Sequence, residues 1–118
     1  PEDREIDGRD AEATHFVAYD DGRPIGVARL REYTEGSSTN NAAKIERVAV
    51  LEECRGAGVG RKLMDAAEES ALSAGYDTIV LHAQLPVVDF YTRLGYEPTG
   101  EPFEDAGIPH RKMSKSFR

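Results

Sequence analysis

With 118 residues and a single cysteine, Cys54, the chain is large enough for one core and excludes an internal disulfide. A net charge of −7 and a pI near 4.9 argue against nucleic acid as the main partner, because phosphate backbones require a basic face. No apolar run approaches the ~20 residues that cross a bilayer, and no Cys/His clustering offers a zinc site.

Apolar content of 39% and charged content of 31% fit a soluble globular domain without a signal peptide, and one thiol fits a reducing cytoplasm. Eleven arginines stand against four lysines. An acidic, lysine-poor surface is met in proteins of salt-loving organisms, where salt screens self-repulsion, and in ordinary acidic cytosolic domains as well.

The chain opens on Pro1 and a charged stretch, Glu2 to Glu5, with little to bury. Residues 1–13 are therefore expected to be poorly ordered, or the remnant of a longer N-terminus. Thr14 to Asp20 reads as the first strand, Asp20-Asp21-Gly22-Arg23 as a hairpin turn, and Pro24 to Glu32 as the returning strand. Thr34 to Asn41 is a polar loop. Lys44 to Leu51 alternates as a third strand, with Glu46, Val48 and Val50 expected on one face and Ile45, Arg47 and Ala49 on the other.

Arg55-Gly56-Ala57-Gly58-Val59-Gly60 then joins that strand to a helix whose Leu63, Met64, Ala67, Ala71 and Ala74 share a face, with Gly75 at its end. Thr78 to Gln84 is a buried strand, and Pro86 opens a short helix carrying Val87, Phe90, Tyr91 and Leu94 on one face. Tyr96 onward and Ile108 to Phe117 close the fold as two strands. The order β-β-β-α-β-α-β-β, without repeat or linker, implies a single α/β domain with a parallel strand pair in its second half.

A glycine-rich turn at a helix N-terminus converges unpaired N–H groups where the helix dipole favours an anion, which makes phosphate or pyrophosphate the natural guest. A Walker A loop would need Lys-Ser/Thr after its last glycine, yet Gly60 is followed by Arg61 and Lys62. A dinucleotide fold would need Gly-x-Gly-x-x-Gly and an acidic end to the next strand; here the glycines alternate and that strand ends His82-Ala83-Gln84.

The pattern Arg-x-x-Gly-x-Gly formed by Arg55, Gly58 and Gly60 instead resembles the acyl-coenzyme A loop of the GNAT N-acetyltransferase superfamily. Ile45-Glu46-Arg47-Val48-Ala49-Val50 and Phe90-Tyr91-Thr92-Arg93-Leu94-Gly95-Tyr96 are similar to further parts of its signature. Asp105-Ala106-Gly107-Ile108-Pro109-His110 looks like the C-terminal motif of its ElaA/YjcF-like branch. The resemblance spans roughly Thr14 to Ser116. It implies a mixed central sheet flanked by helices, although the strand and helices with which that fold ordinarily begins are not visible before Thr14.

The same resemblance implies acetyl-CoA as co-substrate, no metal, and direct transfer to a primary amine of a small molecule or peptide; a homodimer is compatible with it. The edge of Val48, Ala49 and Val50 would bond the pantetheine arm. The amides of Gly56, Ala57, Gly58, Val59 and Gly60 would cradle the pyrophosphate, with Arg55 and Arg61 adding charge. Gln84 falls where many relatives carry an asparagine that bonds the pantetheine. Tyr91 matches the tyrosine that protonates the departing thiolate. Glu46 is the leading candidate for general base, with an ion pair to a neighbouring arginine as the alternative; His82 is a base or relay, and His110 a residue of the acceptor site. Cys54 reads as a buried small residue. A GNAT-like module that binds acyl-CoA without turnover is the competing reading, which Tyr91 and Glu46 disfavour.

Overall fold

A computed structural model describes residues 2–6, 13–33 and 41–117. Its strands are β1 (Glu2–Ile6), β2 (Ala13–Asp20), β3 (Arg23–Glu32), β4 (Ala42–Val50), β5 (Thr78–Gln84), β6 (Glu97–Asp105) and β7 (Ile108–Ser116). Helix α1 (Val59–Ser73) joins β4 to β5, and a 3-10 turn (Leu85–Val87) leads into α2 (Val88–Arg93). The sheet runs β1-β2-β3-β4-β5-β7-β6, antiparallel except for the parallel pair β4–β5. The expected α/β order is therefore present from β2 onward.

A strand precedes the one expected to be first. Glu2–Ile6 pairs antiparallel with β2, Glu5 opposite His15, so the sheet begins before Thr14. Backbone pairing needs no apolar side chains, which is why a charged stretch gave no signal. The polar loop expected at Thr34 to Asn41 lies almost wholly outside the described residues.

One core holds the domain together. Phe16, Ala28, Leu30, Ile45, Ile79, Leu81 and Met113 point from the sheet toward Leu63, Met64, Ala67 and Ala71 of α1 and toward Tyr91 and Tyr96 around α2. Both helices thus cover the same face, and among the described residues no helix covers the other. Ala74, grouped with the buried stripe in the sequence, is exposed at the last turn. Each helix stops on a left-handed glycine: the N–H of Tyr76 bonds the Ala71 carbonyl beyond Gly75, and that of Tyr96 bonds the Tyr91 carbonyl beyond Gly95. The second cap turns Tyr96 back into the core, where its hydroxyl donates to Glu68 of α1 at 2.7 Å.

β4 carries the irregularity that matters most. Arg29 pairs with Glu46 and Val27 with Ala49, so Ala28 alone opposes Arg47 and Val48, and Arg47 adopts φ 58°. This β-bulge reverses the side-chain alternation beyond it. Val48 and Val50 pack against the core with Ile45, whereas Glu46 stands on the helix-free face. The expectation that Glu46 shares a face with Val48 and Val50 is overturned: strict period two does not survive an extra residue.

Candidate active site

The parallel pair β4–β5 is short. Ala42–Lys44 lies beside Thr78–Val80, and beyond that β4 keeps only β3 while β5 keeps only β7. The strands part, and from Glu46 to Val50 the backbone of β4 turns one edge to the gap. That edge contains Val48, Ala49 and Val50.

The glycine loop stands at the end of β4. Leu51 N–H bonds the Ile25 carbonyl at 2.9 Å, and Arg55 Nε donates to the Val50 carbonyl at 3.1 Å, tying the loop to the strand it leaves. Gly58 caps α1 at φ 83° and provides no side chain, so the N–H groups of Val59, Gly60 and Arg61 have neither a helical acceptor nor a side-chain cap. Gly56 and Gly58 have nothing within 4 Å of a would-be Cβ. The loop is an open cradle of donors, with exposed Arg55, Arg61 and Lys62 around it. These groups fit a pyrophosphate. Beside it, under the β2–β3 hairpin, a cavity of ≈ 370 Å³ is lined by Tyr19, Asp20, Glu53, half-buried Cys54 and Lys62. It flanks the loop and reaches neither Tyr91 nor His82.

On the β5 side of the gap, α2 presents Tyr91, buried between the edges of Phe90 and Tyr96 with ring centroids 5.0 and 6.1 Å away. Burial pushes its hydroxyl up to about 12, so it keeps its proton throughout the neutral range. The hydroxyl takes no hydrogen-bond partner among the described residues. Tyr96 is raised further, by burial and by its bond to the Glu68 carboxylate.

The helix-free face carries the remaining candidates. Glu46 forms ion pairs with Arg29 (Nε at 2.8 Å), Arg31 (Nε at 3.2 Å, which also donates a hydrogen bond) and Lys44 (Nζ at 3.8 Å). Burial alone would raise its carboxyl; the Arg31 hydrogen bond and the charges of Arg31, Arg29 and Lys44 outweigh that and hold it below the ordinary carboxylate value. The ion-pair alternative raised for Glu46 is thus present in the structure. A carboxylate stabilised in this way is a poor acceptor for an ammonium proton. His82 lies two residues from exposed Gln84 on the same face of β5, and Gln84 pairs with His110 of β7. Phe103 of β6 joins the two imidazoles, edge-on to His82 at 5.0 Å and stacked on His110 at 5.7 Å and 22°.

The sequence reading did not single out Phe103, Arg29, Arg31 or Lys44. The alternation of Arg29 with Arg31, and of Lys44 with Glu46, was a usable sign of one charged sheet face. Phe103 sits in a strand that is otherwise exposed and broken by Pro98, Gly100 and Pro102, so nothing in its pattern marked it. Among the described residues no group of His, Cys, Asp and Glu is arranged to hold a metal.

A mixed sheet that parts between two parallel strands, with a glycine-rich helix N-terminus at the opening, defines the acyl-CoA N-acyltransferase fold. The chain belongs to the GNAT acetyltransferase family: residues 2–117 match the family model described as "Acetyltransferase (GNAT) domain". It is 40% identical over 98% of its length, and 79% of the relative's, to the "Uncharacterized N-acetyltransferase YjcF" of Bacillus subtilis (strain 168). The crystal structure of Escherichia coli ElaA, 29% identical, superposes with a TM-score of 0.77 over 95% of this chain and 75% of that one. An aminoglycoside 6'-N-acetyltransferase solved with coenzyme A shares the fold at 17% identity, with a TM-score of 0.77 over 93% of this chain and 76% of that one. The enzyme class, acyltransferase, follows from the family and the fold.

Proposed function

We propose that the protein transfers an acetyl group from acetyl-CoA directly to a primary amine. The observation that carries this reading is the uncapped, glycine-lined start of α1, continuous with the unpaired edge of β4 and facing the gap beside Tyr91. Pyrophosphate on the amides of Gly56 to Arg61 fixes one end of the co-substrate. The backbone of Val48 to Val50, and Gln84 across the gap, orient the pantetheine arm toward α2. Holding thioester and amine together removes much of the entropic cost of meeting.

Tyr91 acts as general acid. Its hydroxyl keeps its proton until the carbon–sulfur bond breaks, then donates it to the thiolate. Glu46, held by three cations, anchors the acceptor face; proton removal from the amine falls to the imidazoles of that face, His82 or His110. Cys54 takes no part.

The test is an acceptor screen in which acetyl-CoA is offered with alkylamines, arylalkylamines, polyamines and peptides bearing a free N-terminus or lysine, and CoA thiol release is followed. Thiol release that depends on the amine, with an acetylated product of matching mass, supports the reading. CoA binding with no turnover on any amine favours a sensing module instead.

A further inference from the structure

We propose that His110 is the catalytic proton acceptor for the incoming amine; this rests on the acetyl transfer proposed above. Three observations carry it. His110 Nδ1 lies 2.7 Å from the Ile108 carbonyl oxygen, which can only accept. The neutral ring therefore holds its proton on Nδ1 and keeps the lone pair on Nε2, the state a base needs. The ring is also immobilised: it is only 9% exposed and stacks on Phe103. Finally, His110 pairs with Gln84, the last residue of β5, so it stands on the helix-free face at the strand end from which the chain turns into α2.

The other two candidates stand differently. Glu46 is committed to Arg29, Arg31 and Lys44. His82 meets Phe103 by its edge rather than stacked on it. The charged and titratable groups that share the face with His110 include Lys112 further along β7, His82 from β5, Glu97 and Asp105 from β6, and, further across the sheet, Glu46 with Arg29, Arg31 and Lys44.

The step balances as follows. The ammonium of the acceptor gives one proton to His110 Nε2, and the freed lone pair forms the nitrogen–carbon bond to the thioester carbonyl. The carbon–sulfur bond breaks, and the thiolate takes the Tyr91 proton. The nitrogen's second proton restores Tyr91 through solvent, and His110 releases its own proton to solvent. Net, acetyl-CoA and R–NH3+ give the acetamide, CoA–SH and H+.

His110→Asn tests this, because the asparagine amide keeps an N–H for the Ile108 carbonyl and lacks the second nitrogen. kcat/KM is measured against pH with the best primary amine of the acceptor screen and with hydroxylamine, which is already unprotonated at neutral pH. CoA affinity is measured in parallel. The expected result is a fall of about 10²–10⁴-fold with the amine at neutral pH, recovering as pH rises. Transfer to hydroxylamine should stay within a few-fold of wild type and CoA affinity should be unchanged. His82→Asn is measured in the same way: a selective loss with the amine there, and none in His110→Asn, overturns the assignment. Equal losses with both nucleophiles, or an unchanged amine profile in His110→Asn, overturn the assignment while leaving acetyl transfer standing. A wild-type protein that neither binds CoA nor acetylates either nucleophile overturns the function and this assignment with it.

Discussion

Gly60 and Phe90 lie in contact: a Cβ on Gly60 would come within 3.2 Å of Phe90 Cζ. The first turn of α1, which offers amides to the pyrophosphate, is thereby packed directly on the residue before Tyr91. The two halves of the site are set against each other by the absence of a side chain.

Gly60→Ala separates helix propensity from fit. Alanine gains up to about 1 kcal/mol in a helix, and displacing the half-buried Phe90 ring costs a similar amount. Denaturant unfolding should show a net change within about 1 kcal/mol. kcat should nevertheless fall, because the yielding ring shares its helix turn with Tyr91. A kcat equal to wild type would show that Phe90 moves without disturbing its neighbour.

Tyr91 and Tyr96 are both buried and respond oppositely to loss of the hydroxyl. Tyr91→Phe removes a donor without a partner, so stability should hardly change while kcat drops on the order of 10²–10⁴-fold with CoA affinity nearly intact. Tyr96→Phe removes the bond to the Glu68 carboxylate and should cost about 1.5–3 kcal/mol by denaturant unfolding, with kcat near wild type. Reversal of this pattern would move the acid assignment to Tyr96.

Glu46 gives the protein a pH signature. Its folded pKa lies below the ordinary carboxylate value of 4.5, so its ion pairs stabilise the native state above that pH and lose this effect as pH falls through the lower, folded value. Glu46→Gln should lower the melting temperature at neutral pH, by on the order of 1–2 kcal/mol of stability. The gap to wild type should close as pH drops below 4.5. A gap that is constant with pH would mean the loss comes from packing rather than charge.

The elements from β2 to β7 were legible because their signals are local: period-two runs, Gly75 and Gly95 after helical stripes, and the glycine loop itself. Thr78–Gln84 was read to the residue, its Ile79-Val80-Leu81 centre being buried in full. β1 was missed because its pairing is made by backbone. The face of Glu46 was misread because the bulge at Arg47 depends on register with Ala28, a contact that β4 alone does not encode. The loop and Tyr91 could be named from their strings. The joining of His82 to His110 through Phe103 needs three strands in register and so appears only in the fold.

The central claim, that the start of α1 is an acyl-CoA cradle, is tested most directly by following the backbone amide resonances of Gly56 to Arg61 while coenzyme A is titrated into the protein and into Gly58→Glu. In wild type these amides should shift in a saturable way, with the largest changes at Gly58, Val59 and Gly60, and the protein should gain about 2.7 kcal/mol of stability at a hundredfold excess over the dissociation constant. Gly58→Glu, which puts bulk and negative charge at a position of φ 83°, should abolish both responses. Amides that stay fixed at millimolar coenzyme A, or that move equally in Gly58→Glu, would contradict the account.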